Sequence, residues 1–142
     1  MTPDQIEDIQ TSFAKVVPIS QAAAGLFYQK LFTIAPEVRP LFKSDMAEQG
    51  RKLMATLATV VNGLKTLDAV VPVAQALAVR HAAYGVKPEH YAPVGAALIW
   101  TLEQGLKSDF TPGVREAWIA AYNTLSGAMI AAAYPAEDAV HG

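Results

Sequence analysis

The chain has 142 residues, of which 52 % are hydrophobic and 17 % charged, and its net charge is −2. That length allows one domain with a substantial core and leaves no room for a second catalytic module, and the mild negative balance excludes both disorder and an electrostatic affinity for nucleic acid. With no cysteine at all, disulfides, thiolate metal sites and cysteine nucleophiles are ruled out together.

No segment alternates apolar and polar residues, whereas several place apolar residues at three- and four-residue steps, so the expected fold is all-α with a single domain over 1–142. Thr2 before Pro3 reads as a cap and first-turn proline, and Ile6, Ile9, Phe13 and Val16 form a stripe that ends near Pro18. Ser20 is placed to cap a second helix carrying Phe27, Tyr28, Leu31 and Ile34, after which Pro36 opens a short helical turn through Leu41 and a loop runs from Phe42 to Asp45. Leu53, Leu57, Val60, Val61 and Leu64 predict a long helix over about 47–65, with Gly63 its weak point. Pro72 fits the first turn of the following helix, which Gly85 terminates in a left-handed cap. Pro88 restarts the chain, Tyr91, Val94, Leu98, Ile99, Leu102 and Leu106 make the next stripe, and Val114, Trp118, Ala121, Tyr122, Leu125 and Met129 make the last. Residues from Pro135 onward read as a frayed tail.

The charge-free window from Ala117 to Ala136 is long enough to suggest a membrane span. Asn123, Thr124, Ser126, Gly127 and Pro135 interrupt it, and alanine supplies half of its apolar content, so a tightly packed helix of a soluble protein is the better reading. The acidic start lacks a basic segment followed by an apolar run, and a cytoplasmic protein is expected.

His81 stands out. With Val73 and Leu77 at four-residue steps before it, it falls on an inward apolar stripe, where an imidazole needs either a hydrogen-bonding partner or a metal. His90 at a helix start and His141 in the tail invite no metal role, and neither a zinc-type histidine spacing nor a Gly-rich phosphate loop is present.

Phe27-Tyr-Gln-Lys-Leu-Phe32, Pro36-Glu-Val-Arg-Pro-Leu-Phe42, His81-Ala-Ala-Tyr-Gly-Val86 and His90-Tyr-Ala-Pro-Val-Gly95 occur in that order, and 32 residues separate Gln49 from His81. This pattern resembles the bacterial single-domain globins related to the flavohaemoglobin head domain, over nearly the whole chain. The resemblance implies a globin-like bundle holding one haem b, with His81 as proximal iron ligand and the carbonyl near Leu77 as acceptor for its second ring nitrogen. Phe42 resembles the family's haem-wedging phenylalanine, while Leu41, Leu53, Leu57, Leu77, Val94 and Leu98 either line the haem pocket or simply pack the core. Tyr28 and Gln49 resemble the distal pair that donates to a bound gas, the alternatives being a core tyrosine bonded to a backbone carbonyl and a solvated glutamine. Lys52 and Arg80 stand either near the haem propionates or as ordinary solvated charges. Tyr91, ten residues after His81, matches the tyrosine of the family's proximal network, but Ala133 falls where that network has a glutamate and Glu137 lies beyond Pro135. The loss of a carboxylate there disfavours peroxidase-like chemistry.

The implied function is reversible binding of dioxygen, and of NO or CO, in oxygen transport or storage. Nitric oxide dioxygenation is the enzymatic alternative and would need a separate reductase, since no flavin or nicotinamide module fits in 142 residues. Haem-based sensing and a haemless globin fold complete the alternatives. Neither nucleic acid nor membrane is an expected partner.

Overall fold

The computed structural model describes residues 1–43 and 45–134. Among them there are six α-helices and no strand: α1 (Pro3–Val16), α2 (Ser20–Ile34), α3 (Met46–Asn62), α4 (Leu67–Ala83), α5 (Tyr91–Leu106) and α6 (Pro112–Ala133). Short 3-10 turns fill most of the joints. α4 packs along α6, α2 along α5, α1 against α6, and α2 crosses α3.

The local signals mostly act as their chemistry requires. Thr2 forms a full capping box, its hydroxyl accepting from the Gln5 amide at 3.1 Å while the Gln5 side chain accepts from the Thr2 amide at 3.0 Å. Thr111 caps α6 in the same sense, accepting from the Val114 amide at 3.2 Å. The expected turn from Pro36 through Leu41 is a 3-10 helix. Ile9, Phe13 and Val16 of α1 meet Phe27 and Leu31 of α2, Leu98 and Leu102 of α5, and Trp118 of α6 in one core. Within it the Trp118 indole donates to the Ser12 hydroxyl at 2.9 Å, satisfying two buried polar groups with one bond. No single helix among the described residues is long and apolar enough to cross a membrane. Ala117, Trp118, Ala121 and Leu125 are buried along α6.

Four expectations need correction. Ser20 is the first residue of α2 rather than its cap, and its side chain makes no capping bond. The long third helix stops at Asn62, because Gly63 turns the chain: its amide reaches the Thr59 and Val60 carbonyls, and α3 and the segment from Leu64 to Ala83 meet at 58°. A side chain at position 63 would put its Cβ 2.1 Å from a Val70 methyl, so glycine is what lets the two helices approach at this corner. Pro72 lies inside α4 rather than in its first turn, since the helix begins at Leu67. Packing outweighs the lost amide there, as Val70 is buried with Ala74 and Leu125 in a second small core. Val73, assigned to the inward stripe, is 54 % exposed. α4 turns Val70, Ala74 and Ala78 inward, and this leaves Leu77 and His81 half-buried at the edge of that buried face. The expected frayed tail from Pro135, with Glu137 and His141, lies outside the described residues.

Candidate functional site

α4 presents His81 in its last turn and is closed immediately afterwards. The Val86 amide donates to the His81 carbonyl at 3.0 Å and the Gly85 amide to the Ala82 carbonyl at 3.1 Å, with Gly85 at φ +102°. That is a Schellman closure on a left-handed glycine, as the sequence predicts. The imidazole is hydrogen-bonded to the Leu77 carbonyl one turn earlier. Burial, and then the neighbouring Arg80 guanidinium, lower its pKa from the usual histidine value, with the Leu77 bond opposing them. The ring is therefore neutral at pH 7, with one nitrogen donating to Leu77 and a lone pair left on the other.

The corner after α2 carries four contiguous aromatic rings. Tyr28 meets Phe27 edge to face at 5.1 Å, Phe42 edge to face at 5.3 Å, and stacks on Phe32 at 5.9 Å, while Phe32 and Phe42 are themselves 5.4 Å apart. Arg39 locks the outside of this cluster: its guanidinium lies over the Phe32 ring at 5.1 Å and donates to the Phe42 carbonyl at 3.3 Å. The corner reaches the end of the His81 helix, where a Leu41 methyl would be 3.3 Å from a Cβ at Gly85.

The Tyr28 hydroxyl donates to the Gln49 backbone carbonyl at 3.2 Å, and burial pushes its pKa up to about 12. Tyr28 and Gln49 are thus brought together, although the bond seen is that of a core tyrosine to a carbonyl and leaves the hydroxyl without a free proton. Leu53 and Leu57 follow Gln49 along α3. With Leu98, Phe13 and Phe27 they line an apolar cavity of about 20 Å³, room for no more than about one water molecule. Leu41, Phe42, Leu53, Leu57, Leu77 and Val94 are only half-buried, whereas Leu98 is buried. Leu41, Phe42, Leu53, Leu57 and Val94 all pack against the main core from its edge, and their partly open apolar surface would be buried further by an apolar group seated beside them.

Tyr91 opens α5, is buried, and its hydroxyl has no hydrogen-bond partner among the described residues. Its pKa is raised by burial first and by nearby Tyr134 second. Tyr122 donates to the Tyr91 carbonyl at 2.6 Å, and Tyr134 donates to the Val86 carbonyl. These two tyrosines tie α6 to both sides of the joint between α4 and α5. The sequence placed Tyr122 on a core stripe and could not show this role, since periodicity gives the face of a side chain but not the partner of its polar tip. Lys52 is exposed and pairs with Glu48 at 3.7 Å along α3, the arrangement of an ordinary solvated charge. Arg80 is also exposed. His90 accepts from the Lys87 amide through Nδ1 at 3.0 Å, acting as a cap.

A family model described as globin matches residues 25–129. The chain is 29 % identical over 133 residues to the flavohaemoprotein of Vibrio cholerae, covering 92 % of this chain and 34 % of that protein. It is 27 % identical over 128 residues to the flavohaemoprotein of Bacillus subtilis, covering 88 % and 32 % respectively. The chain therefore spans about a third of the length of these curated relatives. Among solved structures, a bacterial globin from Campylobacter jejuni is similar in fold, with a TM-score of 0.83 at 24 % identity, over 96 % of this chain and 99 % of that one.

Proposed function

Because the chain belongs to the globin family, whose members bind haem b, we propose that it holds one haem b through His81 and reversibly binds dioxygen, and also NO or CO, as an oxygen-binding protein. One observation carries this reading: a half-buried imidazole hydrogen-bonded to the Leu77 carbonyl in the last turn of α4, beside the Gly85 closure that Leu41 of the aromatic corner approaches. Haem iron supplies the gas-binding position when the group is present.

The chain's own residues do the rest. His81 offers its lone pair to the iron, and Leu77 fixes the tautomer and adds basicity to the ligating nitrogen. Leu41, Leu53, Leu57, Val94 and Leu98 would supply apolar contact to the group and keep water away, and Phe42, on the corner that Arg39 stiffens, would help to hold it. Tyr28 and Gln49 would be the distal pair, and the Tyr28 hydroxyl would have to leave the Gln49 carbonyl in order to donate to a gas. Tyr91, whose hydroxyl has no partner among the described residues, would stand on the proximal side. Arg80 and Lys52 stand as exposed cations for the propionates, a role for which Lys52 must give up Glu48.

The likeness to flavohaemoproteins supports a second reading, nitric oxide dioxygenation with electrons from a separate reductase. Multiple-turnover consumption of NO in the presence of a reductase separates this from simple binding. The principal test is an absorption series of ferric, ferrous, oxygenated and carbonmonoxy forms of the full chain and of His81→Ala. The full chain is expected to show a Soret band that moves with each gas, and His81→Ala to lose stable haem. Full haem retention by His81→Ala with an unchanged spectrum refutes the assignment.

A further inference from the structure

The two sides of α4 differ sharply. Val70, Ala74 and Ala78 are buried inside the chain, and the opposite side is open to solvent. Asp68, Pro72, Ala76 and Arg80, all exposed and four residues apart, form one ridge along that open side. Ala69, Val73 and Val79 flank the ridge, and the two valines are each 54 % exposed. No charged residue occurs between Asp68 and Arg80. An apolar strip roughly 18 Å long, at 1.5 Å per residue, thus begins at an acid and ends at a base.

Two properties of the strip point to what covers it. Neither Asp68 nor Arg80 forms an ion pair among the described residues. The ridge is also complementary to itself when reversed. If a second copy lies antiparallel on it, about a two-fold axis level with residue 74, Asp68 of each copy falls opposite Arg80 of the other. The same operation sets the small Ala76 against Pro72 and the small Ala69 against Val79. Ridges of four-residue spacing from two helices interdigitate at a crossing of about −50°, the commonest class of helix packing. A two-fold axis then makes both ion pairs at once from one self-complementary surface.

We infer that α4 is a self-association face, through which two copies of this chain pair antiparallel, with two Asp68–Arg80 ion pairs closing the ends of an apolar contact. Opposite charges at the two ends fix the direction and register of the pairing, which a uniformly charged partner would not match. A single helix crossing buries less than the roughly 1,200 Å² at which stable interfaces begin, so the pair is weak and reversible. The face does not depend on haem.

Sedimentation equilibrium of the full chain from roughly 10 μM to 1 mM tests the idea, and a monomer–dimer equilibrium is expected within that range. Ala76→Glu, which puts a carboxylate in the middle of the contact, and Asp68→Arg, which opposes two cations at each end, are each expected to weaken pairing about tenfold or more. Both positions are exposed, so thermal unfolding followed by circular dichroism is expected to be little changed. Both also leave Arg80 in place and keep the test apart from the haem reading. Arg80→Asp alone is expected to weaken pairing in the same way. An equimolar mixture of Asp68→Arg with Arg80→Asp is expected to recover association as a heterodimer, because every end then joins opposite charges. A chain still monomeric at the top of the concentration range, a dimer that neither Ala76→Glu nor Asp68→Arg weakens, or folded single variants that do not associate when mixed would each overturn the inference. A monomer that instead binds vesicles of neutral lipid through Val73 and Val79 would overturn it too and reassign the strip to a membrane surface. Pairing that persists in a chain without a Soret band leaves this inference standing while the haem reading falls.

Discussion

Tyr28→Phe separates a structural tyrosine from a gas-binding one, and the structure sets the size of the effect. The hydroxyl already has a partner, the Gln49 carbonyl at 3.2 Å. A neutral bond of that length contributes about 1 kcal/mol. Donation to a partly charged gas ligand is a charge-assisted bond, worth about twice as much. Moving the proton from one acceptor to the other therefore gains about 1 kcal/mol, or roughly fivefold in the release rate. A hydroxyl free before the gas arrives would give a much larger factor. Stopped-flow oxygen release, with carbon monoxide present to prevent rebinding, is expected to be about fivefold faster in Tyr28→Phe, alongside a loss of about 1 kcal/mol in urea unfolding. An unchanged release rate with the stability loss intact would show that the hydroxyl stays on the Gln49 carbonyl, and the distal role would be refuted. An increase beyond a hundredfold would refute the present hydrogen bond instead.

The same residue makes a prediction in alkali. Its phenol is raised from 10.0 to about 12, so the stability it contributes is complete below pH 10 and is lost as pH rises toward 12. Between those values the wild type is expected to lose more stability than Tyr28→Phe, read as urea midpoints at stepped pH. Gly63→Ala, whose Cβ would sit 2.1 Å from Val70, is expected to cost about 1–3 kcal/mol by overpacking. Val70→Ala should recover part of that loss, so additive costs in the double variant would show that the two side chains do not meet. Gly25→Ala, free of neighbours, is expected to stabilise the fold by about 0.5–1 kcal/mol, checked by thermal unfolding.

Helix number, type and order were legible from spacing, because α1, α5 and α6 each bury a regular stripe. The errors cluster at α4, where local and tertiary signals conflict. Pro72 reads as a first-turn residue, but burial of Val70 extends the helix backward past it, and α6 rather than the His81 edge receives the helix's most buried face. Gly85 was readable, since only a left-handed residue closes a helix in that way. At the candidate site, the Leu77 carbonyl as acceptor for the His81 ring followed from a one-turn step. Partners of polar tips did not: Tyr122 on the Tyr91 carbonyl, Tyr134 on that of Val86 and Arg39 on that of Phe42 each join segments that only the folded chain brings together.

The closure at Gly85 also bears on how the imidazole can move. The carbonyl of residue 81 is occupied by Val86, whose own carbonyl is tethered to α6 by Tyr134, and the ring is moored to Leu77. Sliding the histidine along its helix axis would break bonds in two different segments at once, whereas tilting the ring strains only one. Any pull exerted on that nitrogen is thus converted into rotation at the side chain, and the stretch from Tyr84 to Val86 acts as a brake on it.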